Sequence, residues 1–240
     1  MIKKLSAIYR SCNRELKKEE FNKSRPDWFN KFLCFDSFYN SFGDKDDIDV
    51  HLVFDGKAED ELAQYITKRN LKSVTYLNNV GNQNSAVACY DILSKTETEY
   101  VATFEDDYLW LDNSRDLLLE GLLRFGEAGI ICLYQHPDRV FRTDDVTLGK
   151  EYIFAGKSCY WRTAESNTLT FALKKSIFNK HYEEFVNCHI QDRLLFVNLL
   201  TKYNVRQFTP ISETQGGTHV NRFFPALYID WEKYNNSIRR

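Results

Sequence analysis

No stretch of the chain approaches the roughly 18 consecutive apolar residues that a membrane-spanning helix requires, so no membrane span is expected. No secretory leader is expected either. Behind the charged start Met1-Ile2-Lys3-Lys4 the apolar run is only Leu5 to Tyr9, too short for the apolar region of a signal peptide. These absences predict a soluble protein of the cytoplasm, that of the host for a viral chain. An excess of one charge is absent as well: 32 Lys and Arg stand against 34 Asp and Glu, for a net charge of -2. Nucleic-acid binders need a positive field to neutralise phosphates, so no nucleic-acid partner is expected. Cys-x-x-Cys pairs are lacking. The six cysteines at 12, 34, 89, 132, 159 and 188 stand singly, which excludes a zinc or disulfide framework and predicts reduced, packed thiols.

What the chain does have is a core. Apolar residues make up 43% of 240, and aromatics 15%, with 18 Phe and 14 Tyr against a single Met. Such aromatics fill cores and also line sugar and base pockets. The first half alternates strand and helix patterns. Strands are predicted at Leu5–Tyr9, Ile48–Phe54, Val74–Leu77, Tyr100–Phe104 and Ile130–Tyr134. Helices are predicted at Trp28–Phe42, Glu59–Asn70, Asn82–Lys95 and Leu117–Phe125, the last capped by Asn113 or Ser114 and ended by Gly126. Pro26 after Arg25 suits the first turn of the aromatic helix.

The second half is less regular. Residues 135 to 165 read as a long loop with short strands, 167 to 173 as a strand, and 174 to 187 and 192 to 203 as helices. No repeat or linker divides the chain, so one domain over 1–240 is expected. The alternation predicts an α/β fold with a mostly parallel, Rossmann-like central sheet and helices on both faces. Ligands of such sheets bind beyond the carboxyl ends of the strands. That rule singles out Ser11, Asp55, Gly81 and the run Glu105-Asp106-Asp107, each just after a predicted strand.

The acidic run is the sharpest feature. Residues two apart in extended backbone point the same way, so Glu105 and Asp107 converge on one side. Hard divalent cations take oxygen ligands and share substrate phosphates. The plainer alternative is a solvated acidic turn after a strand.

The stretch Val74 to Asp107 resembles the donor-binding core of the family-2 inverting glycosyltransferases. There a strand leads through an Asn/Gly turn and a helix to a strand ending in Asp-x-Asp; here the turn is Asn78-Asn79-Val80-Gly81-Asn82. Arg10-Ser11-Cys12-Asn13-Arg14-Glu15 stands where that family has Pro-Thr-Tyr-Asn-Arg, and Val53-Phe54-Asp55-Gly56 where it has Val-Asp-Asp-Gly. Two departures stand out: Arg10 in place of Pro, and Glu105 in place of Asp.

The resemblance implies a GT-A fold with a nucleotide-sugar half over 1–110 and an acceptor half with C-terminal metal and catalytic loops over 111–240. It implies a UDP- or GDP-sugar donor held by Arg10, Ser11, Asp55, Gly81, Asn84, Glu105 and Asp106, and a Mn or Mg ion on Asp107. The acceptor would be a hydroxyl of a glycan or other molecule. Asp192, in Gln191-Asp192-Arg193, stands where the family has its base; the alternative is a helix N-terminal Asp favoured by capping and dipole. His219, in Gly216-Gly217-Thr218-His219-Val220, is a candidate second metal ligand, ahead of His51 and His181. Two segments, Gln135-His136-Pro137-Asp138-Arg139 and Tyr160-Trp161-Arg162-Thr163, are similar to segments of some viral and bacterial sugar transferases. Trp161 would stack on a sugar and Arg162 grip an anion, unless both are packed structural residues.

Two rivals remain. A sugar-phosphate nucleotidyltransferase also uses carboxylates and Mg, but brings a Gly-rich phosphate loop near its first strand. No glycine occurs between Met1 and Phe42. The second rival is a non-catalytic nucleotide- or carbohydrate-binding module.

Overall fold

The computed structural model describes residues 5–13, 29–134, 151–166, 168–188, 190–211, 217–219, 233 and 236–237. Arg14, Glu15, Arg25-Pro26 and the Gln135–Arg139 segment lie outside the described residues. The chain runs β1 (Leu5–Cys12), α1 (Lys31–Phe42), β2 (Ile48–Asp55), α2 (Glu61–Ile66), β3 (Ser73–Tyr76), α3 (Asn82–Lys95) and β4 (Tyr100–Glu105). It continues through β5 (Tyr108–Trp110), α4 (Ser114–Phe125), β6 (Gly129–Ile131), β7 (Ile153–Ala155), β8 (Tyr160–Ala164) and β9 (Phe171–Lys174). The last elements are α5 (Lys175–Lys180), α6 (Tyr182–Cys188), α7 (Asp192–Tyr203), β10 (Arg206–Pro210) and β11 (Gly217–His219).

One nine-stranded sheet has the order β3-β2-β1-β4-β9-β6-β10-β8-β7. The first four strands are parallel neighbours. Strand β9 lies antiparallel between β4 and β6, and β8 antiparallel to β10 and β7. All strands of this sheet except β9 and β8 therefore run one way, which is the mostly parallel α/β sheet that the alternation predicts.

Period-two burial along β1 explains the layers. Leu5, Ala7 and Tyr9 face a core shared with α1, α2 and α4. Ile8 faces the other core, built with α3, α5, α6 and α7. Aromatics dominate the first of these. The Tyr9 ring lies 5.2 Å from Phe35 and 4.8 Å from Phe38, and Phe104 lies 4.7 Å from Phe42 and 5.1 Å from Trp110. Helix α1 starts where the Asn30 side chain accepts the Phe32 N–H at 2.8 Å, a typical N-cap.

Several expected boundaries move. The strand expected at 167–173 is Phe171–Lys174, and the helix expected over 174–187 breaks at His181 into α5 and α6. Within the loop expected over 135–165, β7 and β8 form the hairpin that closes the sheet's far edge. Helices Asn82–Lys95 and Asp192–Tyr203 have the expected limits. Among the described residues no helix is long and apolar enough to cross a membrane.

Candidate functional site: the carboxyl ends of β1, β2 and β4

Strand register brings the candidate donor residues together. Arg10 on β1 lies opposite Glu105 on β4, and Cys12 opposite Asp55 on β2. Register partners share a sheet face, so Arg10, Glu105 and Asp55 all emerge on the side of α3. The Arg10 guanidinium is 13% exposed and pairs with Glu105. It also donates to the Asn82 carbonyl and the Ser85 hydroxyl, each at 3.1 Å, and to the Asn82 side chain. Burial opposes its charge, but the Glu105 carboxylate outweighs burial and holds the group protonated.

Asp55 reaches the same helix start from β2. Its two oxygens accept the N–H groups of Val80 at 2.7 Å and Gly81 at 2.8 Å. The loop it grips is tightly turned, with φ of 53° at Asn78, 63° at Asn79 and 88° at Gly81. Only glycine adopts such angles without steric cost, with Asn the usual substitute. The Asn84 side chain donates to the Val80 carbonyl at 3.0 Å, which closes the same turn.

On the opposite face Asp106 is the hub. It accepts from the Ser11 hydroxyl at 2.8 Å, the Cys12 N–H at 3.0 Å and the Lys31 ammonium at 2.8 Å. Lys31, 7% exposed, also donates to the Cys12 carbonyl at 2.7 Å. Burial works against its charge, and Asp106 reverses the balance, so the ammonium titrates above the ordinary lysine range. Ser11 and Asp106, both expected to hold the donor, thus engage one another in this arrangement. Neither Lys31 nor Ser85 figured in the sequence reading, and Asn82 figured there only in the turn and at the helix start. A lysine at the first position of a helix, where the dipole disfavours a cation, was the available signal.

Asp107 is 8% exposed and leads into β5, whose Tyr108, Leu109 and Trp110 are wholly buried. Helix α1 anchors that strand: the Trp110 N–H donates to the Ser37 hydroxyl at 3.1 Å, and the Ser41 hydroxyl to the Leu111 carbonyl at 2.9 Å. Strand β11 pairs antiparallel with β5, and His219 lies opposite Tyr108. The backbone of His219 therefore runs beside the residue that follows Asp107. Among the described residues no three His, Cys, Asp or Glu side chains gather into a metal-binding cluster.

Asp192 opens α7. Strand β10 runs with β6 and hence with β4, and α7 leads down to β10 through Asn204, a left-handed residue with φ 55°. Helix α7 therefore runs against the strand direction, and its first residue lies at the carboxyl edge of the sheet, on the α3 face. The Asp192 carboxylate accepts the Arg193 N–H at 2.7 Å.

Trp161 and Arg162 require correction. Trp161 has no exposed surface; its ring lies 5.7 Å from Phe125, and its indole N–H donates to Glu120 at 3.1 Å. A ring enclosed on all sides has no face for a sugar. Arg162 pairs with Glu151 in the β7–β8 hairpin. Strand β8 stands four strands from β4, about 19 Å at the usual strand spacing, so neither residue joins the donor residues. Glu120, unnoticed in the sequence, organises this region by also accepting the N–H groups of Lys157 and Ser158 at 2.8 and 3.0 Å.

Comparison with known proteins bears on the family and the fold. The profile of the family described as Glycosyl transferase family 2 matches residues 33–188, a span that includes Asp55, Gly81, Asn84 and Glu105–Asp107. No curated protein matches the chain. Among solved structures, the 1–349 segment of S. aureus TarS in complex with UDP is 16% identical, with a TM-score of 0.52 over 90% of this chain and 60% of that one. A further TarS structure is 14% identical, with a TM-score of 0.51 over 90% of this chain. This chain covers 36% of that one, so it is well short of TarS in length. The 4-diphosphocytidyl-2C-methyl-D-erythritol synthase of Anaerococcus prevotii is 14% identical, with a TM-score of 0.51 over 99% of this chain and 97% of that one. At these identities the structures establish likeness of fold alone. The profile match spans more than half of the 240 residues, and on that ground the chain belongs to glycosyl transferase family 2.

Proposed function

We propose that this chain transfers a sugar from a nucleotide-sugar donor, UDP- or GDP-linked, to an acceptor hydroxyl, with a divalent metal and with inversion. The observation that carries the reading is the family match over residues 33–188; beside it, the β5–β11 ladder runs the backbone of His219 along Tyr108, directly after Asp107. Carboxylate and phosphate oxygens suit Mg or Mn, and the His219 imidazole would be a further donor from a segment remote in sequence from Asp107. Glu105 and Asp106 are engaged by Arg10 and Lys31, and the metal role is assigned to Asp107 with His219 as the family resemblance implies. When bound, such an ion stabilises negative charge on a departing diphosphate.

The chain's own residues supply the rest. Asp55, Asn84 and the Gly81 turn fix the start of α3 as the wall of the nucleoside site. Asp192, at the same sheet edge, takes the proton of the acceptor hydroxyl as its oxygen bonds to the anomeric carbon. The bond from that carbon to the donor phosphate breaks, and the nucleoside diphosphate leaves.

Calorimetry with UDP, GDP, CDP and TDP, with Mn and then with chelator, tests the reading. One nucleoside diphosphate should bind with Mn and lose at least tenfold in affinity under chelation. Asp107→Asn should abolish the metal-dependent part. Absence of binding by all four, in both conditions, would favour a non-catalytic module. The nucleotidyltransferase reading is kept alive by the likeness in fold to the Anaerococcus synthase over nearly the whole of both chains. It predicts preference for a nucleoside triphosphate over every diphosphate in the same assay.

A further inference from the structure

Three strands tie down one point. Arg10 from β1, Asp55 from β2 and Glu105 from β4, the last through Arg10, all end on residues 80–85 at the start of α3. We propose that Arg10 is a positioning residue for the nucleotide: it links Glu105 to the first turn of α3, so that both sides of the nucleoside site act as one body. This inference rests on the donor-site reading above.

Geometry carries it. Arg10 and Glu105 are register partners on adjacent parallel strands, so their side chains start side by side and the pair forms without distorting either strand. The guanidinium fork divides its work: one nitrogen serves Glu105, and the other serves Asn82 and Ser85. Such a fork reaches two directions at once from a planar group, which an ammonium does not reproduce. Both partners are mostly buried, with 13% and 22% of their side chains exposed, so removing one strands the charge of the other.

The two positions are also among those at which the sequence leaves the family's pattern. Proline at 10 would offer no donor, and aspartate at 105 would have a shorter arm. Because the replacements face and bind each other, they form a single compensated change: the longer acid is held in place by a cation that the pattern lacks.

A double-mutant cycle on the full chain tests this, using the nucleoside diphosphate and Mn that the calorimetry selects, at a temperature where every variant retains its native circular dichroism. Arg10→Met and Glu105→Gln should each weaken binding at least tenfold. The double variant should bind no worse than the weaker single variant, since both charges are then gone. Arg10→Lys, which keeps charge without the fork, should recover less than half of the lost affinity on a logarithmic scale. Arg69→Gln removes the surface pair with Asp36 and should leave the Kd within twofold.

Losses that multiply in the double variant, or an Arg10→Met variant within twofold of the parent, would overturn the positioning role while leaving the family reading intact. A parent chain that binds no nucleotide would remove the donor-site reading itself, and this role with it.

Discussion

Lys31 illustrates how much a single residue holds at this site. It is a cation at the first position of a helix, against the dipole, and it stays there because Asp106 and the Cys12 carbonyl receive it. Lys31→Met would leave Asp106, 15% exposed, without its cation. Two hydrogen bonds to that carboxylate would remain, so the loss should fall near the lower end for broken buried pairs, about 3 kcal/mol in urea unfolding. The Lys31 pKa is raised on folding, so its contribution is complete below the unfolded value of about 10.4 and is lost only as pH rises beyond the folded one. The variant should therefore be equally destabilised at pH 6 and pH 8. A loss below about 1 kcal/mol would rank this bridge with ordinary surface pairs.

At the same scale, Asp192→Asn should leave nucleotide binding intact and lower kcat by about 100-fold or more, the usual contribution of a positioned base. Transfer at the parental rate would assign Asp192 to the helix N-terminus alone. The sequence exposed Asp192 as the start of its helix and the acids as the end of a strand. It did not expose that Asp106 is claimed by Lys31 and Glu105 by Arg10, because those pairings depend on the register of β1 against β4 and on where α1 begins. Trp161 misled for a related reason. Its neighbours Tyr160 and Arg162 are polar-edged and the segment lacks helical period, yet alternation along β8 turns Trp161 inward while Tyr160 is 63% exposed.

Among the elements, α3 and α4 each depend on one glycine, for different causes. Gly81, with φ 88°, has nothing within 4 Å of where a Cβ would stand, so only backbone conformation opposes a side chain there. Gly81→Ala should cost about 1 kcal/mol. Gly121 sits in α4, where alanine favours the helix by about 1 kcal/mol. Its Cβ, however, would lie 2.7 Å from the Trp161 ring and 2.8 Å from Ile131. Overpacking of about 1–3 kcal/mol should prevail, so Gly121→Ala should lower Tm by about 2–4 °C. An unchanged or higher Tm would mean that the core yields more easily than its packing implies. Elements formed by contiguous residues were legible: the periodicities of β1 to β4, α1, α3 and α7 could be read directly. Strand β9 was read as a strand at 167–173, but its place between β4 and β6 was not legible, because residues distant in sequence set it and no local pattern records an antiparallel insertion.

For the molecule as a whole, acid should be the weakness. Burial lowers the His181 pKa, and the neighbouring Lys180 lowers it further, against a smaller opposing effect of Glu184. The unfolded chain therefore takes up this proton first, and stability falls as pH drops through about 6.5. Further down, Glu120 and Glu184 lie below the usual carboxylate range. Burial alone would raise both, but hydrogen bonds from Ser158 and Trp161, and from Lys202 and Tyr203, prevail. Their contributions are present above the unfolded value of about 4.3 and disappear as pH falls through the folded values. Urea midpoints measured from pH 7.5 to 5 should decline, and His181→Phe, which keeps a ring against Tyr203 (4.3 Å away in the parent), should flatten the decline. An identical slope in that variant would assign the titration to another histidine.

The pairing of β11 with β5 also has a temporal meaning. A nascent chain that has emerged through Pro210 carries all nine strands of the main sheet, whereas β5 still waits for residues 217–219. Synthesis runs from the N-terminus, and pairing between remote segments comes late. The scaffold can therefore assemble on the ribosome while the small ladder beside Asp107 stays open until residues 217–219 have been made.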